Sequence, residues 1–336
     1  MSIQSNKVIK QRPVPMGIMR AGRRVMVLCG GWALLSALLF VGFALGPPSL
    51  RTDWFPTVVS LLKIGAFLIA AVLCWRNIKD KNILSSPTVW QAIALSMAAY
   101  ALGDITVMLW RSLWGITTVV SLGDMFYAAS YLFLMTGLLK AVLPRPINLN
   151  WMQGVSIVTV GIAGIVLAFW INFYMLADVG SSTILVAPVS IESKGAAMGG
   201  AVTSPANTSP ANTSPANTAP QIIQILDQRL GRLSSKMSLL YVAGDCVVIV
   251  VAVLMLIAFW GGIYSESWKL IAIAGLCLYG ADLLLVYHVS QGSYRQGASW
   301  EILWVLSALF FGMGAAVERG VSSTVQQKRD RRQRVR

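Results

Sequence analysis

Long apolar segments separated by short polar connections dominate this chain. A helix needs about 20 apolar residues to cross the roughly 30 Å of hydrocarbon in a bilayer. Strands of a membrane barrel would show only short segments of alternating polarity, so the pattern favours helices. Eight segments are long enough, and they lie near residues 25–46, 54–75, 87–110, 116–143, 151–176, 237–260, 268–289 and 298–317. The pattern therefore predicts an all-α, polytopic membrane helix bundle with about eight transmembrane helices.

The charged residues are segregated from the apolar segments. The 336 residues are 56% hydrophobic and 12% charged, with a net charge of +14, whereas a soluble domain is about 25% charged. Residues 1–24 carry six basic and no acidic side chains, and residues 318–336 carry seven basic and two acidic ones. This distribution excludes a soluble globular enzyme and a disordered chain. Because the basic arms flank predicted spans, we expect them to contact anionic membrane lipids, and we expect no binding to nucleic acid.

The distribution of Lys and Arg predicts how the bundle is oriented. Cytoplasmic connections of membrane proteins carry an excess of these residues. With both termini in the cytoplasm, the inner segments hold 19 basic residues and the outer segments hold seven. The first apolar segment is too long for a signal peptide and has no cleavage site, so we interpret it as a membrane anchor. We therefore expect a multi-pass protein with cytoplasmic N- and C-termini.

The predicted spans divide the chain into five regions. They are a basic cytoplasmic arm (1–24), spans one to five (25–176), an outer loop (177–236), spans six to eight (237–317) and a basic cytoplasmic tail (318–336). In the outer loop, Ser-Pro-Ala-Asn-Thr occurs three times between residues 204 and 218. Proline at every fifth position prevents regular structure, which predicts an extended spacer whose glycosylation the sequence leaves open. Apolar residues at helical spacing within 222–233 then predict a short amphipathic helix.

The two halves of the membrane part share a spacing pattern. In spans four and eight, an acid is followed by an aromatic residue, a serine and a glycine at offsets of three, six and thirteen. The two sets are Asp124, Tyr127, Ser130 and Gly137, and Glu301, Trp304, Ser307 and Gly314. Asp104 precedes the first set by 20 residues, and Asp282 precedes the second by 19. Because corresponding spans run in the same direction, the match predicts a 4+4 parallel internal repeat about an axis along the membrane normal.

Six ionisable side chains are expected inside the spans, in the outer half of the bilayer. They are Lys63, Asp104, Asp124, Asp245, Asp282 and Glu301. Ionisable groups in spans are costly and usually functional, so with Tyr127 and Trp304 they predict an outward-facing acidic and aromatic ligand pocket. The surplus of carboxylates over Lys63 favours a cationic or amine-bearing ligand. The alternative is an interhelical hydrogen-bond network in which Lys63 neutralises Asp104 or Asp124.

The remaining candidate chemistry is sparse. His288, the only histidine, lies at the outer end of span seven, where it could hydrogen-bond a head group or serve as an axial ligand of haem or chlorophyll. No metal site and no other cofactor is predicted. The four cysteines lie in spans without a C-x-x-C pair, which is typical of small buried side chains. No catalytic motif is present, so we expect no enzymatic activity.

Two stretches carry a resemblance to a known family. They are Leu122-Gly-Asp-Met-Phe-Tyr-Ala-Ala-Ser-Tyr131 with Gly137-Leu-Leu, and Ala281-Asp282 followed by Gln291-Gly-Ser-Tyr-Arg-Gln-Gly297, Trp304 and Gly312-Met-Gly-Ala-Ala316. They resemble the multi-span N-terminal membrane sensor region of bacterial GGDEF/EAL (diguanylate cyclase/phosphodiesterase) and histidine-kinase signalling proteins, over spans two to eight. The resemblance implies a sensor-like module in the bacterial cytoplasmic (inner) membrane. The sequence shows no GGDEF, EAL or kinase domain after span eight, so we expect a signal to pass to a separate partner.

Three functions are compatible with these patterns. The first is a non-catalytic, sensor-like ligand-binding module that acts through other membrane proteins. The second is an accessory or assembly subunit of a larger respiratory or photosynthetic membrane complex. Purification in gentle detergent separates these two, because a subunit comes as a complex of constant stoichiometry and a sensor as a monomer or homodimer. The third is a small-molecule transporter, which the clustering of acids on one side disfavours and which uptake into proteoliposomes would reveal.

Overall fold

Long α-helices make up nearly all of the chain that the structure describes. This computed structural model describes residues 16–46, 54–81, 83–114, 121–143, 151–178, 234–259, 265–291 and 293–334, with isolated positions between 220 and 230. Within these ranges the chain forms eight α-helices and no strand. The helices are α1 (Met16–Leu45), α2 (Trp54–Ile78), α3 (Pro87–Trp114), α4 (Leu122–Val142), α5 (Trp151–Asp178), α6 (Ser234–Ala258), α7 (Ser265–Ser290) and α8 (Ile302–Arg334). A 3₁₀ turn, Ser299–Glu301, leads into α8.

Seven of these helices contain a stretch that is long and apolar enough to cross a membrane. They are α1 to α4 and α6 to α8. In α5 the side chains that the structure describes form a shorter apolar stretch, Gly154–Leu167. Each of the eight predicted segments falls on one helix. The predicted all-α, polytopic helix bundle is therefore confirmed.

The ends of two helices differ from the predicted segments. Helix α4 begins at Leu122 rather than near 116, because the Ser121 hydroxyl accepts a hydrogen bond from the Gly123 N–H (3.1 Å) and the Asp124 carboxylate accepts one from the Ser121 N–H (2.8 Å). This reciprocal capping box starts the helix at a defined residue. Helix α8 continues to Arg334, well past the predicted end at 317. The apolar pattern marks only the membrane crossing, whereas Gln, Lys and Arg continue a helix readily.

Most of the outer loop falls outside the described residues, including the three Ser-Pro-Ala-Asn-Thr repeats. Of the amphipathic helix predicted within 222–233, the structure describes residues 223, 225, 229 and 230, and all four are helical. The first fifteen residues of the basic N-terminal arm are also outside the described part. For the basic tail, the helical backbone is described as far as Arg334.

The helices pack as two antiparallel stacks whose most extensive contacts with each other lie at two places. Helices α2, α3 and α4 pack in sequence, and so do α6, α7 and α8. The stacks meet where α2 packs on α8 and where α4 packs on α6. Helix α1 lies against α8, and α5 lies against α6. Exposed apolar side chains such as Leu28 and Leu38 on α1 and Val158 on α5 are what a lipid-facing surface requires.

Two buried tryptophans at matching positions of α3 and α7 pack against each other. Trp90 lies fourteen residues before Asp104, and Trp268 lies fourteen residues before Asp282. Both indole rings are fully buried, and their centroids are 5.9 Å apart. This pair places α3 and α7 in direct contact at the end of the bundle that carries the α2–α3 and α6–α7 connections.

Two glycines at matching positions let α4 and α8 approach their neighbours closely. A Cβ atom on Gly137 would lie 3.1 Å from Cγ1 of Ile93, and one on Gly314 would lie 2.8 Å from Cγ1 of Ile271. The two isoleucines each lie eleven residues before the acid of their own helix. The same glycine-to-isoleucine contact therefore occurs in both stacks, which fits the use of small residues where membrane helices pack closely.

Helix α8 is fixed to the turn between α2 and α3. The Arg319 Nε donates to Asp80 Oδ2 at 2.9 Å. The Asn77 amide donates to the Ala315 carbonyl at 2.9 Å, and the Leu84 N–H donates to the Ser322 hydroxyl at 3.2 Å. A displacement of α8 at this end would therefore also move the α2–α3 turn.

Candidate functional site

Lys63 of α2 lies between two buried acids from different helices. Its Nζ is 3.8 Å from Asp104 Oδ1 on α3 and 3.8 Å from Glu301 Oε2 at the start of α8. It also lies 4.6 Å from the ring centroid of Trp304. Lys63 is 9% exposed, Asp104 6% and Glu301 0%. Two carboxylates and an aromatic face thus surround one ammonium group in a low-dielectric environment.

The partners of Lys63 decide between the two alternatives that the sequence left open. Asp104 was one of the two predicted partners, and the structure places it next to Lys63. The other predicted partner, Asp124, is held instead by the capping box at the start of α4 and by Tyr241, whose hydroxyl donates to Asp124 Oδ1 at 3.0 Å. Glu301 takes the second place beside Lys63.

The connection between α7 and α8 holds Glu301 in position. The Gly297 N–H donates to Glu301 Oε1 at 2.9 Å, and the Tyr294 hydroxyl donates to the same oxygen at 3.4 Å. Burial beside this carboxylate raises the pKa of Tyr294, against a smaller opposing effect of Arg111, so the phenol keeps its proton. Gly297 has a φ of +84°, and a Cβ atom there would lie 2.4 Å from the Phe55 ring. Only glycine fits this position.

Asp104 receives a hydrogen bond from Tyr127, which lies three residues after Asp124 on α4. The Tyr127 hydroxyl donates to Asp104 Oδ1 at 2.7 Å. Gly103 makes room for the ring, because a Cβ atom there would lie 2.5 Å from a ring carbon of Tyr127. The other oxygen, Asp104 Oδ2, is buried and has no hydrogen-bond partner within the described part of the chain.

Asp282 receives the equivalent hydrogen bond in the second half. The indole N–H of Trp304 donates to Asp282 Oδ1 at 2.8 Å. Trp304 follows Glu301 by three residues, as Tyr127 follows Asp124. In both halves, therefore, an aromatic side chain binds the aspartate of the preceding helix. Tyr127 binds Asp104 of α3, and Trp304 binds Asp282 of α7.

Tyr131 joins two further acids from different helices. Its hydroxyl lies 2.5 Å from Asp245 Oδ1 on α6 and also contacts Asp282 Oδ2 on α7. Gly244 admits the ring, because a Cβ atom there would lie 2.5 Å from a ring carbon of Tyr131. The spacing of residues in the sequence does not assign Tyr131 to any of the acids. Its position seven residues, about two turns, after Asp124 places both residues on the same face of α4, and this spacing could have indicated that Tyr131 lies near the acids.

These contacts form one connected group, which we call the acid network. It consists of Lys63, Asp104, Tyr127, Tyr131, Asp245, Asp282, Glu301 and Trp304. Asp124 and Tyr241 lie next to it, since the rings of Tyr131 and Tyr241 are 5.7 Å apart. All eight residues that the sequence singled out for a pocket therefore belong to this network or adjoin it.

The acid network contains more carboxyl groups than cations. With Asp124 it includes five acids, and in the described part of the chain only Lys63 forms ion pairs with any of them. Tyrosine hydroxyls and one indole N–H supply the hydrogen bonds to Asp124, Asp245 and Asp282. A neutral donor gives a carboxylate oxygen its hydrogen bond but does not neutralise the negative charge. That charge is costly inside a membrane unless a proton or another cation neutralises it.

A cleft lies next to the acid network, at the end of the bundle that carries the α7–α8 connection. Its volume is about 320 Å³, and its walls include Phe55, His288, Arg295, Gln296 and Trp300. None of the predicted pocket acids lines it. The structure thus describes a cleft beside the acid network, and a ligand pocket formed by the acids themselves stays a prediction.

His288 belongs to this cleft. Its ring is parallel to the ring of Trp300, with centroids 5.5 Å apart, and its Nδ1 lies 3.0 Å from the Ser293 hydroxyl. Its assignment as a ligand of haem or chlorophyll stays a prediction. Among the described residues, no group of three or more His, Cys, Asp or Glu side chains is arranged to hold a metal ion.

Comparison with protein-family models, curated proteins and solved structures finds no match to this chain.

Proposed function

We propose that the chain is a non-catalytic, sensor-like membrane module. In this proposal the acid network binds protons or a small cationic, amine-bearing ligand, and the protein acts through partner proteins. The observation that carries the proposal is the surplus of buried carboxyl groups over the single ammonium of Lys63. Buried, uncompensated carboxylates are expensive in a membrane protein and are usually retained because they serve a function.

The surroundings of Lys63 support an amine-bearing ligand. Its ammonium group has two carboxylates at 3.8 Å and an indole face at 4.6 Å, which is the chemistry that recognises organic ammonium ions. Asp245 and Asp282 form no ion pair in the part of the chain that the structure describes, although both contact Tyr131. A proton or an external cation at this pair would supply the charge that Lys63 supplies to Asp104 and Glu301.

Helix α8 supports an output through partner proteins. It begins directly after Glu301 and continues as one helix to Arg334, a length of about 50 Å at about 1.5 Å per residue. A change in the pairing of Glu301 would act on the first turn of the helix that carries the basic tail. If the tail docks to an acidic partner, replacing Lys328, Arg329, Arg331 and Arg332 with Gln abolishes co-purification of that partner. If these residues only set the orientation of the protein in the membrane, the partner still co-purifies.

The proposed location is the bacterial cytoplasmic membrane, with both termini in the cytoplasm. The excess of Lys and Arg in the predicted inner segments supports the orientation. The resemblance of 122–139 and 281–316 to sensor regions of bacterial signalling proteins supports both the sensor function and the location.

A cation titration tests the proposed ligand class. In detergent micelles, methylammonium chloride should raise the melting temperature of the protein more than sodium chloride at equal ionic strength, because a ligand that binds only the folded state stabilises it. The Asp282→Asn variant should lose this difference. Lys269→Gln, which removes a partly exposed charge paired with Glu266, is the matched control and should keep it. An equal response of wild type and a folded Asp282→Asn variant would contradict the proposal.

We also propose that the two halves derive from an internal duplication. Lys63 on α2 contacts Glu301, the acid that starts α8, and Tyr241 on α6 contacts Asp124, the acid that starts α4. Both residues follow a Ser-Leu-Leu sequence, which begins at Ser60 in one half and at Ser238 in the other. Tyr241 thus occupies in the second half the place that Lys63 occupies in the first.

A lysine at position 241 tests this equivalence. In the Tyr241→Lys variant, the new ammonium should reach Asp124 and, because this position adjoins Tyr131, should repel an external cation at Asp245 and Asp282. The variant should stay folded and lose the methylammonium response, while the Tyr241→Phe control should retain it. The equivalence fails if folded Tyr241→Lys responds like wild type, or if it is much less stable than Tyr241→Phe.

A further inference from the structure

The described wall of the cleft beside the acid network is basic and aromatic. The cleft lies where the start of α2, the end of α7 and the α7–α8 connection meet, and its volume is about 320 Å³. Among the described residues that line it, Arg295 and His288 are basic and none is Asp or Glu. Its size is at the lower end of the range of small-molecule sites, about 300–1,000 Å³. The guanidinium group of Arg295 favours an anion.

The walls of the cleft are held in place by contacts to α2. The Gln296 amide donates to the Ser60 hydroxyl at 2.9 Å and to the Pro56 carbonyl at 3.3 Å. Gly297 packs so closely on Phe55 that no larger residue fits. A preformed site binds more tightly than one that must be ordered by its ligand, because less conformational entropy is lost.

The hydrogen bonds of His288 leave one ring nitrogen to the cleft ligand. The Ser293 hydroxyl lies 3.3 Å from the His288 carbonyl and 3.0 Å from His288 Nδ1. The Ser293 hydroxyl therefore occupies Nδ1, which leaves Nε2 as the ring nitrogen that can contact a ligand in the cleft.

We infer that this cleft binds a phosphate-ester anion. A guanidinium group beside an imidazole nitrogen and a serine hydroxyl is suited to phosphate oxygens, which accept several hydrogen bonds, and those from the guanidinium are charge-assisted. The cleft lies at the ends of three candidate membrane spans, where phospholipid phosphates and interfacial aromatic residues are expected. Two sources have this chemistry, the head group of an anionic phospholipid and a soluble phosphate ester.

Occupancy of the cleft is coupled to the acid network by one peptide group. Gly297 lines the cleft, and its N–H donates to Glu301, which pairs with Lys63. A ligand that shifts this connection therefore changes the hydrogen bonding of a buried acid. The inference does not depend on the proposed cation site, because the anion contacts a different set of side chains.

Lipid retention measured by native mass spectrometry tests the site. Protein purified from mixed phosphatidylglycerol and phosphatidylcholine micelles should retain phosphatidylglycerol preferentially. The Arg295→Gln and Arg295→Gln/His288→Gln variants should bind it about tenfold more weakly or worse, since a charged hydrogen bond is lost. Arg295→Lys should keep part of the affinity, and Lys269→Gln, a charge removal at the other end of α7, should keep all of it.

A second arm distinguishes the two sources of phosphate. sn-Glycerol 3-phosphate is titrated into protein in neutral detergent, with intrinsic tryptophan fluorescence as the readout. Arg295-dependent lipid retention without glycerol phosphate binding identifies the head group as the ligand. Arg295-dependent glycerol phosphate binding identifies a soluble ester. If folded Arg295→Gln equals wild type in both arms, the inference is wrong.

Discussion

Replacing Lys63 with methionine should lower the free energy of unfolding by about 3–5 kcal/mol, because removing one partner of a buried ion pair leaves uncompensated charge. Asp104 and Glu301 are 6% and 0% exposed, and both depend on the same ammonium group. The loss should be smaller in acidic than in alkaline buffer, since protonation of the two carboxyl groups removes their charge. Denaturant titration in detergent micelles, followed by tryptophan fluorescence, measures it.

The triple variant Lys63→Met/Asp104→Asn/Glu301→Gln is the control for this prediction. It removes the ammonium and both carboxylates together, and replacement of a complete buried ion pair is often neutral or stabilising. Most of the stability lost in Lys63→Met should therefore return. A triple variant as unstable as Lys63→Met would show that the lysine acts through packing of its methylene groups rather than through charge.

The second large effect is expected for Tyr131→Phe, which should cost about 2–4 kcal/mol because it removes the hydroxyl shared by two buried carboxyl groups. Asp245 and Asp282 would each lose a hydrogen-bond partner while staying in place. The same titration in micelles measures the loss.

Tyr279→Phe is a closely matched control for Tyr131→Phe. Both tyrosines are buried, at 6% and 3% exposure, but the Tyr279 hydroxyl makes one bond, to the Gly164 carbonyl at 3.2 Å. Its removal should cost about 0.5–1.5 kcal/mol. Equal losses in the two variants would mean that the carboxyl groups of Asp245 and Asp282 do not depend on Tyr131.

The helices could be predicted from the sequence because each apolar segment is long enough to cross a bilayer on its own. The position of each acid along its helix follows in the same way from counting residues, while its depth in the bilayer stays a prediction. The ends of helices were less predictable. The start of α4 depends on the capping interactions of Ser121, and the continuation of α8 to Arg334 depends on polar residues that an apolar pattern does not register.

The pairing of the acids could not be predicted from the sequence. Lys63 and Glu301 lie on helices far apart in the chain, and only the packing of α2 on α8 brings them together. Tyr131 was missed for the same reason, since its partners come from α6 and α7. The cleft depends on the positive φ of Gly297 and on the contacts of Gln296 with α2, which a pattern of residue types does not specify.

Some residues of the spacing pattern shared by the two halves make similar contacts in both. Tyr127 and Trp304 bind the aspartates of the preceding helices, and Gly137 and Gly314 contact isoleucines at matching positions. The halves differ at the positions of Lys63 and Tyr241. If the duplication is correct, this difference marks the place where one half carries its own cation and the other accepts a proton or ligand.

A double-mutant cycle between Lys63→Met and Tyr131→Phe tests most directly whether the acid network is one coupled unit. The two side chains are linked through Trp304 and Asp282. Residues in one polar network show interaction energies of about 0.5–3 kcal/mol, whereas independent sites are additive within about 0.3–0.5 kcal/mol. If the acid network is one coupled unit, the coupling in the free energy of unfolding is at least about 0.5 kcal/mol. Additive losses would mean that Lys63 and Tyr131 make two separate structural contacts and that the acid network is not one unit.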